Sequence, residues 1–581
     1  MCGIAGEINL STNVVKRNFL LKKLSHRGPH HEAFIKIDNN ICFYHTRLKI
    51  IDLSDKSNQP MISYDKRYTI SYNGELYNYV ELRKKLEKFG FFFKTNGDTE
   101  VFLNGFIKFG KNFFKIANGI FAVAIFDKKE KILYLARDFI GVKPLYYSLH
   151  KNNFFFASEI KAIINNISHK KINKSVINEF LFYKYVSGKD TLVKNVYKLD
   201  PGKVYSIDLK EKKIKLKSFT YYQFKESANK QNIQETTLNI KALLTKSVNL
   251  QLQSDANLGI QLSGGLDSTL VTEIASRIKK IKFLYFSGFG DYKKDEYKYA
   301  NFVSKKLDLK FKKNILEKNF FFKNLNKAIY HLDEPLNHPH SLAIYQISKN
   351  AKKNVSVMLA GEGADEIFFG YERYLQILKE KNKINFIKNG AFLRTKKDIE
   401  IYSIFKNEEF GDPHVNRNKI YGNINIENEL IKFQIFETKT HLQSLLLRSD
   451  KMMMANSIEA RVPFLDINLF NYALNINDKI KKNEEQKIIL KKILSQFNYP
   501  KNFISRKKIG YTIPFNKWLE TNKNYEKDLK TEALLTLFKN DDVNFLIEDL
   551  KNKNNMYSNA KIYWLLININ KFINIFDLNI E

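Results

Sequence analysis

Leu258-Gly-Ile-Gln-Leu-Ser-Gly-Gly-Leu-Asp-Ser-Thr-Leu-Val-Thr-Glu-Ile-Ala275 reads as strand, loop and helix in immediate succession. Leu258 to Leu262 alternates as a strand does. Leu270, Val271, Ile274, Ala275 and Ile278 form one apolar helical stripe. Between them lies Ser263-Gly264-Gly265-Leu266-Asp267-Ser268. Glycines there let the backbone approach phosphates, and amides at a helix N-terminus complement negative charge. The spacing is not that of Gly-x-x-x-x-Gly-Lys-Ser/Thr, which argues against kinase-like γ-phosphate transfer. The plainer reading is a flexible turn with Asp267 as a helix cap. The strand–loop–helix context weighs against it.

Downstream the alternation continues. Residues 282–286 read as a strand, 297–307 as a helix, and 355–359 as a strand before Gly361. Such alternation predicts an α/β doubly wound parallel sheet with ligands at the carboxyl ends of its strands. From about residue 371 the chain reads mainly helical. Ala360-Gly-Glu-Gly-Ala-Asp-Glu-Ile-Phe-Phe-Gly370 follows a strand and holds Asp365 and Glu366. Alone it reads as a solvated loop and cap. Paired with Asp267, Asp365 offers hard oxygen ligands for magnesium held between protein and phosphates.

Upstream the rhythm is different. ICFYHTRLKIIDL, RYTISYNGEL, IFAVAIFD, KILYLARD and NFFFASEI are strand-like, with helical stretches at 79–89 and 101–109. This predicts an α+β layered domain with antiparallel sheets. The polar stretch Lys225 to Glu235 reads as a linker, dividing the chain into residues 2–220 and 236–581.

Composition narrows the classes. At 581 residues the chain suits two or more domains, and no window approaches the ~18 apolar residues of a membrane span. The start, MCGIAGEINL, has no basic region of the signal-peptide kind. Two cysteines, Cys2 and Cys42, make neither a disulfide framework nor a zinc site. A cytoplasmic location is expected. The net charge of +35 is spread over scattered lysines in a chain rich in Asn, Ile, Phe and Tyr, with no recognition motif. No nucleic-acid partner is expected, and no membrane.

Removal of Met1 would make Cys2 the N-terminal residue, with a thiol and a free α-amine together. An amine of ordinary pKa near ~8 can activate its own thiol, so no His or Asp partner is needed. By itself Cys2 is more simply a small residue opening a strand. By itself Asn73-Gly74 is a hairpin turn requiring φ > 0.

Cys2-Gly-Ile-Ala-Gly6, His26-Arg-Gly-Pro29, His45-Thr-Arg-Leu48 and Asn73-Gly-Glu-Leu-Tyr77 together resemble the glutaminase domain of class II, N-terminal-nucleophile amidotransferases. The resemblance makes Cys2 the nucleophile and Arg47 the clamp on the glutamine α-carboxylate. It makes Asn73 and Gly74 the oxyanion hole, and gives Glu75 and Asp98 the glutamine amino group and its surroundings. The Ser263–Ser268 motif resembles the pyrophosphate loop of N-type ATP pyrophosphatases, with Leu262, Ser263, Gly264, Gly265, Asp267, Ser268 and Gly361 around ATP. With Asp333-Glu-Pro335, Ala455 to Asp466 and Arg506 to Tyr511, the second half is similar to glutamine-dependent asparagine synthetase. That similarity implies magnesium on Asp267 and Asp365, Lys487 stabilising the α-phosphate transition state, and Glu362 in the ammonia step. Arg461 to Asp466 reads as a brace near the site. Departures from the family pattern are His30 for Asp, Ala360 for Ser, Lys451-Met-Met for Arg-Met-Ser, and Gln251-Leu-Gln253 where arginines are common.

The expected substrates are glutamine, aspartate and ATP, and a homodimer is one assembly the reading leaves open. Rival readings are the same chemistry on a sugar, peptide or secondary-metabolite carboxylate, and a non-catalytic basic scaffold. β-Lactam synthetase-like cyclases lack the nucleophile, which Cys2 argues against.

Overall fold

The computed structural model describes residues 2–10, 17–167, 169–227, 231–289, 296–374, 387, 391–483, 485–507, 513–521 and 524–580. Most of the expected Arg506–Tyr511 motif lies outside them.

The first half stacks two antiparallel six-stranded sheets. One runs in the order Tyr197–Lys198, Tyr146–His150, Asn153–Ala157, Cys2–Asn9, Ile41–Arg47, His31–Asp38. The other runs Lys217–Thr220, Lys203–Asp208, Ile132–Arg137, Gly119–Asp127, Tyr68–Leu76, Met61–Ile62. Alternation sends Ile4, Ile8, Phe43 and Phe156 of the first sheet inward against Ala122, Ala124, Phe126 and Leu135 of the second. Helices Tyr79–Glu87 and Asp98–Phe109 cover the second sheet's outer face, packing Leu82, Leu86, Val101 and Phe102 on Ile70, Tyr72 and Leu76. The opposite residues of the first sheet, Ala5, Cys42 and Tyr44, join a core continuous with the second half. This is the α+β layered architecture expected.

Asn73-Gly74 is not in a turn. It lies inside strand Tyr68–Leu76, with Gly74 opposite Phe121. Glycine is required there by close approach: a Cβ would stand 2.2 Å from the Ile120 carbonyl oxygen. The polar stretch 225–235 also differs from expectation at its end, where Asn232 and Glu235 form a capping box that opens helix Ile233–Gln251.

The second half holds a five-stranded sheet in the order Phe311–Ile315, Phe283–Gly288, Leu258–Gln261, Val357–Leu359, Glu459–Arg461, parallel throughout. From the central strand Leu258–Gln261 the chain first winds to one side and then returns to the other. The strand order therefore reverses between Leu258–Gln261 and Val357–Leu359. Ligands of doubly wound sheets bind at such a switch point, outside the carboxyl ends. Both expected phosphate-facing segments, 263–268 and 360–365, leave from those two ends. The remainder is helical, ending in the 21-residue helix Met556–Phe576, whose Trp564 is buried. No helix among the described residues is long and apolar enough to cross a membrane.

Candidate active site

Cys2 opens the central strand of the first sheet, and its cross-strand partner is Arg47. The Cys2 backbone nitrogen donates to Asn73 Oδ1 at 3.0 Å. The other end of that amide, Nδ2, is buried without a hydrogen-bond partner among the described residues. A buried donor left over beside a thiol is what an oxyanion site requires. Burial pushes the Cys2 thiol up, while the Leu48 amide and Arg47 act in the opposite direction.

Arg47 is held rigidly by the following loop. Nη1 donates to the Ser54 carbonyl (2.6 Å) and Asn58 Oδ1 (2.9 Å), and Nη2 to the Asp52 carbonyl (2.5 Å). Among the described residues, Nε and one Nη2 hydrogen are left for a carboxylate fork. Asp98, in the first turn of helix Asp98–Phe109, accepts from the Leu76 amide at 2.9 Å. Burial raises its pKa to about 6. His30, at the exposed rim, accepts the Lys49 amide through Nδ1 at 3.0 Å. An imidazole nitrogen thus makes the kind of bond a carboxylate could make there.

Glu75 shares a face with Asn73, two residues along the strand. Its carboxylate is 3.5 Å from Arg461 Nη2, on the edge strand of the parallel sheet. Arg461 is fully buried; it pairs with Glu459 and donates to the carbonyls of Gln251 (2.7 Å) and Gln253 (2.6 Å). The brace expected of Arg461 is therefore a joint between the halves. Burial and the neighbouring Glu459 hold the Glu75 carboxyl well above the usual range.

At the switch point, Leu262 is buried and its amide donates to the Tyr285 carbonyl. The Ser263 and Ser268 hydroxyls meet at 2.9 Å, and the Gly265 amide donates to Ser263 Oγ at 3.2 Å. Gly264 has φ +84°, a conformation that favours glycine. Gly361 brings the two loops into contact, since a Cβ there would lie 3.0 Å from the Ser268 nitrogen and 3.1 Å from Asp267 Cβ. Lys487 Nζ is 2.6 Å from both Asp267 Oδ2 and Asp365 Oδ1. Burial alone would lower this ammonium's pKa, but the two carboxylates hold it above the ordinary lysine value. Gly370 makes room, because a Cβ there would collide with Lys487 Cε at 2.1 Å. Glu362 is 3.4 Å from Arg448 Nη2. Ala360, buried at the end of its strand, has no side-chain oxygen to offer a nucleotide.

The chain's fold thus gathers Cys2, Arg47, Asn73, Gly74, Glu75 and Asp98 at one end. It gathers Ser263 to Ser268, Gly361, Glu362, Asp365 and Lys487 at the other. Sequence reasoning missed what joins them. Arg27 donates through Nε to the Cys2 carbonyl (3.1 Å), through Nη1 to Glu159 (2.9 Å) and through Nη2 to Asp450 (2.9 Å). Around it Lys143, Lys161, Lys451 and Asp333 complete a buried ionic cluster. Asp333, of the Asp333-Glu-Pro335 motif, caps the Ile160 and Lys161 amides. The available signal was the placement of charged residues inside otherwise apolar motifs.

Two family models match the chain: a glutamine amidotransferase domain over residues 1–222 and asparagine synthase over residues 239–573. Asparagine synthetase [glutamine-hydrolyzing] 1 of Bacillus subtilis is 30% identical over 570 residues, covering 90% of this chain and 89% of its own. Putative asparagine synthetase [glutamine-hydrolyzing] 2 of Methanocaldococcus jannaschii is 33% identical, covering 69% of this chain and 82% of its own.

Proposed function

Because this chain belongs to the glutamine-hydrolysing asparagine synthetase family, a family of carbon–nitrogen ligases, we propose that it makes asparagine from aspartate, glutamine and ATP in the cytoplasm. The carrying observation is Lys487, set 2.6 Å from both Asp267 and Asp365 at the switch point of a chain whose first strand places Cys2 against Asn73.

In the glutaminase pocket, Arg47 orients glutamine by its α-carboxylate and Asp98 by its amino group. With Met1 removed, the α-amine of Cys2 takes the thiol proton as sulfur attacks the side-chain amide. Asn73 Nδ2 and the Gly74 amide receive the charge that develops on the amide oxygen. Ammonia leaves, and water resolves the thioester to glutamate.

In the synthetase pocket, the aspartate β-carboxylate attacks the α-phosphorus of ATP, giving β-aspartyl-AMP and pyrophosphate. Lys487 offsets charge on the α-phosphate, and the amides of 264–268 hold the leaving pyrophosphate. Ammonia then displaces AMP to give asparagine. Adenylation turns a poor acyl donor into one with a good leaving group. Asp267, after strand Leu258–Gln261, and Asp365, after strand Val357–Leu359, approach one point and are hard oxygen donors of the kind magnesium takes; they would hold the ion, which would neutralise pyrophosphate charge. Ammonia is mostly protonated in neutral water, so a sheltered route matters. The buried contact of Glu75 with Arg461 between the halves supports a route along it that excludes water.

The test is a product assay with Mg-ATP, glutamine and aspartate. Asparagine, AMP and pyrophosphate in equal amounts support the reading. Glutamate release without asparagine would assign a different acceptor.

A further inference from the structure

Beyond Glu362 lies a cluster of basic side chains that none of these roles uses. Lys184 follows helix Ile177–Tyr183 of the first half in a left-handed conformation, φ +62°. His338 and His340 precede helix Ser341–Ala351, and Arg448 stands on helix His441–Met454. Their contacts run in series. Lys184 Nζ lies 2.9 Å from His338 Nδ1, and the rings of His338 and His340 are 4.5 Å apart. Arg448 Nη1 lies 2.5 Å from His340 Nε2, and its Nη2 lies 3.4 Å from Glu362 Oε1.

Among the described residues the charge balance of this cluster is incomplete. Arg373 is paired with Glu437, and Lys561 with Asp398. Lys184 is buried and makes no ion pair with a carboxylate among the described residues. Burial first, then Arg394, Arg373, Arg448 and Lys561, push its pKa well below the ordinary lysine value. Among the described residues, His338 Nε2 and Arg448 Nε are buried without hydrogen-bond partners. Buried cations and donors in this state call for an anion, and perturbed groups beside a reactive cleft mark binding sites.

We propose that Lys184, His338, His340 and Arg448 form a subsite for a second carboxylate on the acceptor, whose first carboxylate faces Asp267, Asp365 and Lys487. The acceptor is then a dicarboxylate held by its far end. For aspartate, the α-carboxylate pairs with the basic cluster while the β-carboxylate reacts. The inference rests on the asparagine-forming reading and adds a substrate-selecting residue, Lys184, contributed by the glutaminase half.

The experiment follows AMP and pyrophosphate formation by the full chain, with ammonium as nitrogen donor. L-Aspartate is compared with its α-carboxamide, L-isoasparagine, in wild type, Lys184→Met, Lys184→Arg and His338→Gln. Glutaminase activity reports that each variant is folded. Wild type should favour aspartate by about 100-fold or more in kcat/KM, as expected when a built polar site loses its partner. Lys184→Met should raise the aspartate KM by roughly 10- to 100-fold, loss of a buried charged contact, with the KM for ATP unmoved and the preference over isoasparagine largely gone. Lys184→Arg should keep most of that preference. Unchanged aspartate KM and selectivity in both Lys184→Met and His338→Gln would overturn the proposal while leaving the reaction standing. A wild-type enzyme that forms no AMP with aspartate overturns the underlying reading, and the proposal with it.

Discussion

Arg27 and Asp450, 423 positions apart, meet at 2.9 Å in the protein interior, and the same guanidinium holds the carbonyl of Cys2. Cys2, the proposed nucleophile of one half, is thereby tied to a helix of the other. The surrounding cluster contains the cations Arg27, Lys143, Lys161 and Lys451 against the anions Glu159, Asp333 and Asp450. Anions are the scarce partner in it.

Asp450→Asn should therefore be strongly destabilising. It leaves Arg27 and Lys143, both fully buried, without their shared charge partner. Breaking a buried pair from one side costs about 3–5 kcal/mol. Calorimetry should show the Tm falling by roughly 5 °C or more, with glutaminase activity impaired as well. A shift under about 1 °C would mean that the cluster tolerates the imbalance, the behaviour of exposed pairs.

Asp98 should give the glutaminase an acidic limb. Its carboxyl titrates at about 6 in the folded chain, against 3.8 unperturbed. Only the ionised form can pair with the glutamine ammonium, so kcat/KM for glutamine should fall as pH drops through about 6. Stability has the opposite sign. The folded chain holds this proton more tightly than the unfolded one, so the contribution is full below 3.8 and lost as pH rises through about 6. Asp98→Asn should accordingly abolish the acidic limb and weaken glutamine binding without lowering Tm at pH 7.5. A limb that persists in the variant must belong to another group.

The strand–loop–helix around the proposed phosphate loop was legible because everything it needs is local: a strand, two glycines, an acid and a helix within 18 consecutive residues. The reversal of strand order that makes it a site was equally accessible from the alternation of elements. Asn73-Gly74 taken alone pointed to a turn, against the strand pattern of RYTISYNGEL around it, because the dipeptide's backbone preference is local, whereas its place in a strand is set by Ile120 on a neighbouring strand. Arg27–Asp450, Glu75–Arg461 and Lys184–His338 were not legible at all. Each pairs side chains more than a hundred residues apart, and no periodicity records which buried charge meets which. The net charge of +35 hides the distinction further, since a buried lysine and a surface lysine are the same letter.

Asn73→Ala removes the uncommitted Nδ2 donor and the acceptor for the Cys2 nitrogen. Loss of one oxyanion donor costs about 100- to 1000-fold in kcat, with KM for glutamine little changed because the donor acts on charge formed in the transition state. Ammonium-dependent synthesis should survive. Steady-state glutaminase kinetics alongside ammonium-supported asparagine formation separate the two. A large rise in KM at full kcat would reassign Asn73 to ground-state binding.

Lys487→Met tests the opposite end. Without the ammonium, Asp267 and Asp365 lose the cation they share. The two like charges then repel, and charge on the α-phosphate loses the cation proposed to offset it. Synthesis from either nitrogen source should fall at least about 100-fold, within the range a lost transition-state charge contact produces. Lys487→Arg should recover little, since the planar guanidinium is bulkier than the ammonium and Gly370 leaves only a close-fitting channel for the lysine stem. Glutamine hydrolysis should continue in both variants, because Cys2 and Arg47 belong to the other half. Retention of synthesis above about a tenth of wild type in Lys487→Met would move the α-phosphate role to another cation.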